Sequence, residues 1–370
     1  MTEAKKHKPE TVVIKIGTNV ITGSNGLLDL EVMEALTADI AAERKKGNRL
    51  IMVSSGAMGA GRSLLTLPEK SNPVSVRQIL ASIGQVKLIH HYSDLFEKHH
   101  LLCAQVLATK EDFRDRRHYL NMKHCFEALL EQGIIPIVNE NDVVSVTELM
   151  FTDNDELAGL IAAMMNADSL MLLTSVEGIY SGSPNDPNSK VISKVEIGTS
   201  SKRSPIGELS TMITSEKSQF GRGGMQTKFS IASKLAKVGI RVYIANGKKR
   251  GMISDLLKGK ELGTTFIPVK KTSGVKKWVA TSESGAKAKV IINRGASEQL
   301  KRENAASSLL PIGVIRIEGT FQKGDIIKIE SESGEGIGVG VAQYGSDIAA
   351  SRLGKRGEKP LVHYNYLYLT

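Results

Sequence analysis

Over about its first 260 residues the chain alternates short, apolar, β-branched runs with longer segments whose apolar positions recur at helical spacing. This alternation limits the possible folds more than any other feature. TVVIKI occupies 11–16; after GTNVITGSNG comes LLDLEVMEALTADIAAERKK, with apolar positions three and four apart; NRLIMVSSGAMGAG then runs from a strand into glycines. The same pattern predicts helices over 74–98, 118–131, 155–166 and 226–238, and strands over 101–108, 134–138, 169–173 and 241–245. Strands separated by helices cannot pair as hairpins, so successive strands come out parallel and both faces of the sheet need covering. The expected fold is α/β, a three-layer sandwich around a mostly parallel sheet. In such sheets ligands gather beyond the carboxyl ends of the strands, and residues directly after each strand are the first candidates for function.

The pattern changes near residue 268. VKKTSGVKKWVATSESGAKAK has few long apolar runs, and KVIINRG, GVIRIEG, GDIIKIE, GIGVGVA and LVHYNYLYL follow as short strands between Gly, Ser and charged turns, with one helix around 295–303. A small, mainly β barrel is expected. The expected division is an α/β domain over 1–268, a linker over 269–279 and a β domain with a C-terminal strand over 280–370.

Charge and cysteine content narrow the function classes. Formal net charge is +10, and residues 271–370 hold 15 Lys/Arg against 10 Asp/Glu, or +5 of it. That excess suits solubility almost as well as a polyanion partner. Cys103 and Cys125 are the only cysteines, too few for a disulfide framework and expected to be inert buried thiols. The pairs His90–His91 and His99–His100 lie side by side without an H-E-x-x-H or cysteine pattern, and no metal ligand is assigned. MTEAKKHKPE lacks the apolar core of a secretory signal, and no apolar run reaches membrane-spanning length. A cytoplasmic protein without membrane segments is expected.

Three glycine-rich stretches follow strands. Lys15 sits inside the first strand beside Gly17 and Thr18, where a buried ammonium needs a partner and backbone N–H groups could receive phosphate oxygens. Val53–Gly61, VSSGAMGAG, permits close backbone approach; Ser55 lacks a G-x-S-x-G frame, so anion or carboxylate binding is preferred to a covalent serine. Residues 221–228, GRGGMQTK, are not a Walker A sequence, yet a glycine turn, helix N-terminal amides and Lys228 one turn in make a phosphate cradle by the same physics.

Residues 138–158, VNENDVVSVTELMFTDNDELA, gather six carboxylates with several amides directly after the apolar run IIPIV. One of Asp153 and Asn154 is expected to cap the helix ELAGLIAAMMNA, but capping accounts for only one such residue. Carboxylates among lysines can orient them, help hold Mg²⁺ or bind a substrate ammonium. Lysines and amides around phosphate, with acids around a small polar molecule, point to phosphoryl transfer by positioning and charge stabilisation.

VVIKIGTNV, IMVSSGAMGAGR, IIPIVNENDVV, FTDNDELAGLIA, LMLLTSVEGIY and GRGGMQTK, in that order across residues 12–228, resemble the amino-acid kinase family in its long, glutamate-phosphorylating form. Residues 280–362, with NAASSLLPIGVIRIEGTFQKGDIIKI, resemble a PUA domain. The resemblance implies ATP-dependent phosphorylation of the side-chain carboxylate of L-glutamate, with Mg²⁺, as the first step toward proline. It implies that Lys15 and Lys228 stabilise the transferring phosphoryl group while Asp153 orients them. Ser55, Gly56, Asn139, Asp142, Asn154 and Asp155 would surround glutamate. Lys15, Gly17, Thr174, Ser175 and the run Arg222, Gly223, Gly224, Met225, Gln226, Thr227 and Lys228 would hold ATP.

Proline as feedback inhibitor and a homo-oligomeric state are likewise implied. Two departures bear on nucleotide affinity: Ser175 stands where many relatives carry Asp, and Arg222 replaces a small hydroxyl residue. RNA contact through the PUA-like region is a secondary expectation, since aromatic and basic residues are not densely interleaved there. N-acetylglutamate and carbamate kinases are the nearest enzymatic alternatives.

Overall fold

The computed structural model describes all residues except 1–7, 66–67, 69–71, 145–150, 152, 184–185, 198–223, 270–273, 282–284, 303–306 and 370. The chain divides into two units, one of residues 1–109 and 124–271 and one of residues 110–123 and 272–370. Among the described residues no helix is long and apolar enough to cross a membrane.

The larger unit begins with strand β1 (Thr11–Ile16), a short helix α1 (Thr18–Ile21), α2 (Leu30–Lys45), β2 (Arg49–Ser54), α3 (Ala57–Arg62) and α4 (Pro73–Glu97). Strand β3 (Cys103–Ala108) follows; helix α5 (Lys110–Arg114) and the first part of α6 (Arg116–Glu131), up to Lys123, belong to the smaller unit, and the rest of α6, β4 (Ile135–Glu140), α7 (Asn154–Met164) and β5 (Ser169–Thr174) to the larger. Strand β6 (Lys194–Glu196), α8 (Met225–Lys237), β7 (Arg241–Asn246), α9 (Met252–Leu257) and β8 (Thr264–Ile267) complete it. Side chains set the helix starts. Asp29 accepts from Val32 N before α2, and Asn72 accepts from Val74 N and Ser75 N with Pro73 as the first residue of α4.

Eight strands form one sheet in the order β3-β4-β2-β1-β5-β7-β8-β6. All pairs from β3 to β7 are parallel; β8 runs antiparallel to β7, with β6 parallel to β8. The mostly parallel sheet expected from the alternation is therefore present. One face of the central strands (Val12, Ile14, Ile16, Leu50, Met52, Met171 and Leu173) joins Met33, Leu36 and Ile40 of α2 and Tyr92 and Phe96 of α4 in a single buried cluster. The alternate residues Val13, Ile51, Val53, Leu170 and Leu172 are equally buried. They require a second layer, and α7 and α8 supply it against β1, β5 and β7.

Chain direction across the sheet reverses at β1. The chain moves from β1 to β2 and β4 on one side, then returns to β5 on the other. The carboxyl ends of β1, β2 and β5 thus flank a topological switch point, where loops diverge and leave a crevice.

The glycines after β2 serve packing as well as approach. A Cβ on Gly61 would lie 2.1 Å from the carbonyl oxygen of Leu80, and one on Gly84 only 1.8 Å from that of Ala57. Helices α3 and α4 therefore meet backbone to backbone, a contact only glycine permits. Gly56, between β2 and α3, has φ +103°, a left-handed conformation that also favours glycine.

The smaller unit contains α10 (Gly274–Thr281), β9 (Ala288–Ile292), α11 (Arg294–Lys301), β10 (Val314–Glu318), β11 (Ile326–Ser331), β12 (Gly336–Ala342), α12 (Ser346–Arg352) and β13 (Val362–Leu369). Its strands form a mixed sheet in the order β10-β9-β11-β12-β13 around an apolar cluster of its own. Among the described residues no pairing joins β10 to β13, so the sheet is β-rich as expected without closing as a barrel. The segment expected as a linker is in fact helical over much of its length. Trp278, Val279 and Ala280 of α10 are buried, α10 lies against β12 and β13, and Tyr119 stacks obliquely on Trp278 with centroids 5.2 Å apart. Val275, Trp278 and Val279 have the spacing of one helix face, a signal masked by the surrounding polar residues. Cys125, expected to be buried, is exposed, whereas burial pushes the Cys103 thiol up to about 11.

Gly84→Ala should lower stability by roughly 3 kcal/mol, because the clash is with backbone and outweighs alanine's better helix propensity. Gly182→Ala, whose Cβ would meet nothing closer than 3.7 Å, serves as the control and should leave the urea midpoint nearly unchanged.

Candidate active site

Lys15 arises inside β1, flanked by Val53 and Leu172 of the neighbouring strands, so its backbone is fixed at the centre of the sheet. Only 6% of the residue is exposed. A buried ammonium there requires an anion, and Asp155 in the first turn of α7 provides it. Lys15 Nζ lies 2.7 Å from Asp155 Oδ1, and Lys228 Nζ, from the first turn of α8, lies 2.7 Å from Oδ2. Asp155 has no exposed surface. One carboxylate thus binds two lysines from separate elements, tying β1, α7 and α8 together. Burial alone would raise the Asp155 pKa, but Lys15 and Lys228 outweigh it and hold the group below its ordinary value.

The lysine-orienting role expected of Asp153 therefore falls geometrically to Asp155. Asp153 is the N-cap of α7: its Oδ1 accepts from the backbone N–H groups of Asp155 and Glu156, at 2.9 and 3.0 Å. Asp155, two residues further on, is the one that points back toward the lysines. Spacing alone does not separate these alternatives. Among the described residues Asp153 Oδ2 has no hydrogen-bond partner, and burial, reinforced by the neighbouring Asp155 charge, raises its pKa to about 6.

A second cluster lies at the ends of β2 and β4. Asn154 Nδ2 donates toward Ser55 Oγ at 2.9 Å, Asn139 Oδ1 at 3.0 Å and the Ser54 carbonyl at 3.2 Å. Asn139 Nδ2 donates to Gln85 Oε1 of α4 at 2.8 Å. Ser55, Asn139 and Asn154, separated by up to 99 residues in sequence, are thus one network. Asp142 lies beyond it, held by Arg77 of α4: Nε and Nη2 reach Asp142 Oδ1 at 2.9 and 2.5 Å, and Nη2 also reaches Glu140 Oε2 at 3.1 Å. Sequence reading missed Arg77, Gln85 and Glu140. The available signal was the Asn-Pro helix start at 72–73, which phases α4 and puts Gln78 and Gln85, seven residues apart, on one side of it.

The remaining expected nucleotide residues are distributed as follows. Gly17 N–H is occupied by the Leu173 carbonyl at 3.1 Å, so it is not the free phosphate donor expected; a Cβ there would crowd that same carbonyl oxygen at 3.2 Å. Thr174 ends β5 half-buried, and its carbonyl accepts from Gly247 N at 2.9 Å, while Ser175 is exposed just beyond. Gly224 precedes α8 without a side-chain cap, and Met225, Gln226, Thr227 and Lys228 form its first turn. Backbone donors there face no capping side chain, which favours an anion. Arg222 and Gly223 lie outside the described residues.

A parallel sheet with paired lysines beside an uncapped helix start, and acids and amides at neighbouring strand ends, is suited to binding a phosphorylated small molecule. The chain belongs to the amino acid kinase family, whose model matches residues 10–246; the PUA domain model matches residues 288–364.

Its relatives include the glutamate 5-kinase of Chlorobaculum tepidum, 49% identical over 358 residues and covering 97% of each chain. The glutamate 5-kinase of Bacteroides thetaiotaomicron is 48% identical over 361 residues, covering 97% of this chain and 98% of that one. In fold alone, the carbamate kinase from Giardia lamblia bound to AMP-PNP is similar, with a TM-score of 0.51 at 17% identity over 70% of this chain and 99% of that one.

Asp155→Asn should remove the carboxylate charge that Lys15 and Lys228 share in a buried site and lower stability by roughly 3–5 kcal/mol, measured by urea unfolding. Asp153 makes a pH prediction of opposite sense. Its native pKa of about 6 stands above the ordinary 3.8, so the stability it contributes is complete below 3.8 and is lost as pH rises through about 6. Asn can still cap the helix, so the stability of Asp153→Asn relative to wild type should climb between those pH values; a flat difference would contradict the raised pKa.

Proposed function

We propose that the chain is a glutamate 5-kinase, transferring the γ-phosphoryl group of ATP to the side-chain carboxylate of L-glutamate. The two-lysine clamp on buried Asp155 carries this reading, supported by near-full-length identity to glutamate 5-kinases. Two ammonium groups sharing one carboxylate are suited to phosphate oxygens and to the charge developing on the transferring group. Gly224, Met225 and Gln226 add N-terminal backbone donors of α8, with Thr227 alongside them. Thr174, Ser175, Arg222 and Gly223 complete the proposed nucleotide contacts.

Glutamate would lie against Ser55, Gly56, Asn139, Asp142 and Asn154, with Asp142 receiving its ammonium. Its side-chain carboxylate is ionised at neutral pH and needs no general base. An oxygen of that carboxylate forms the new bond to phosphorus as the bond from the γ-phosphorus to the bridging oxygen of ADP breaks. No proton moves. Lys15 and Lys228, held in place by Asp155 before the substrate arrives, neutralise charge without reorganising. Magnesium, when bound with ATP, supplies further neutralisation of the phosphates, and the unpartnered Asp153 Oδ2 fits a contact to the ion's water shell.

The same reading carries proline as feedback inhibitor, a homo-oligomer, a cytoplasmic location, and a C-terminal PUA module, barrel-like in its family form, as attached rather than catalytic. It places the kinase and PUA divisions at 1–268 and 280–370, RNA contact being a subsidiary role at most.

Incubation with MgATP, L-glutamate and hydroxylamine should trap the acyl phosphate as a hydroxamate, in step with ADP release. Folded protein giving no glutamate-dependent ADP would end this reading, and preference for N-acetylglutamate would select the nearest alternative. Lys15→Ala and Lys228→Ala should chiefly lower kcat, whereas Asp142→Ala should chiefly raise KM for glutamate.

A further inference from the structure

We infer that Arg77 is a positioning residue for amino-acid recognition: it fixes Asp142 in the orientation that receives the substrate ammonium. The inference rests on the glutamate-kinase reading above. It starts from the division of labour between the two oxygens of Asp142. Arg77 directs both Nε and Nη2 at Oδ1 and not across the two oxygens of the carboxylate, so the usual fork-to-fork pairing is absent. Among the described residues Oδ2 accepts no hydrogen bond. An Arg that grips one oxygen and leaves its twin available holds a carboxylate as an acceptor for a third group.

The second carboxylate at this site is already committed. Glu140 Oε1 accepts from Phe151 N at 2.9 Å in a buried bond and Oε2 from Arg77 at 3.1 Å in a partly buried one. Glu140 thus anchors the guanidinium, and through it the orientation of Asp142. Two carboxylates and one guanidinium sum to one negative charge. The other cluster presents the Lys15 and Lys228 ammonium groups, both held on Asp155. A molecule with an ammonium near one end and a carboxylate at the other matches both clusters in only one direction, side-chain carboxylate toward the lysines.

The backbone around Asp142 is held from the same helix. Gln78 Nε2 donates to the Val143 carbonyl at 2.7 Å, and Gln85 accepts from Asn139. Asn141 N is bound to the Ala108 carbonyl at 2.9 Å. With the chain fixed on both sides, the remaining freedom of Asp142 is its side-chain torsion, which Arg77 removes.

The test is a double-mutant cycle with Arg77→Met and Asp142→Asn in the full chain, read as KM for glutamate, kcat and KM for ATP. Arg77→Met should raise KM for glutamate about tenfold or more with kcat changed less than about threefold, and the rise should largely vanish in the Asp142→Asn background. Arg77→Lys, which can still donate to Oδ1, should recover most of the loss, and it serves if the methionine variant unfolds. Additive effects in the cycle, or a fall in kcat at unchanged KM, would overturn the inference while leaving glutamate phosphorylation intact. Wild-type protein that forms no hydroxamate would overturn both.

Discussion

The site depends on a carboxylate, Asp155, that has no contact with water and faces two ammonium groups. Such a triad is weak evidence for stability, since taking the charges out of water offsets much of their attraction. Its value is geometric. Lysine side chains are flexible, and a phosphoryl-transfer site needs them stationary before charge develops. Asp155 stations both, and it can do so only because β1, α7 and α8 converge at one sheet edge. The rest of the larger unit can be read as the support for that convergence.

Close packing supplies the support on the other side of the sheet. Gly61 and Gly84 let α3 and α4 approach until backbone meets backbone, and α4 then delivers Arg77, Gln78 and Gln85 to the end of β4. In the proposed reading, recognition of the amino acid and packing of the helices are therefore linked. The glycines after β2 look like ligand-binding residues in sequence, yet much of their necessity comes from this helix contact.

Elements with strong local signals were legible before the structure. Strands with five or six buried positions, such as β1 and β4, read as apolar runs, and the capped helix α7 read from Asp-Asn-Asp. The helix at 274–281 was not legible, because its buried apolar residues Trp278, Val279 and Ala280 lie among lysines and serines typical of linkers. Lys15 and Lys228 stood out as lysines where a core strand and a helix start should be apolar or uncharged. Arg77 did not: an arginine on a long amphipathic helix looks like any solvated charge until its partner, 65 residues later, is placed beside it.

Residue order alone determined that the chain builds a parallel α/β sheet, that lysines and glycines follow its strands, and that an unusual density of acids lies after the fourth. These are consequences of periodicity and local chemistry, which act over a few residues. Which acid does what was decided by tertiary structure alone. Asp153 and Asp155 are near-identical in sequence context, but the helix they begin turns one onto its own backbone amides and the other onto two lysines from distant segments. Gly17 likewise has its amide taken by a carbonyl from β5. Direction in space, set by strand order and helix phase, is not a local property, and the chemistry of this site is a matter of direction.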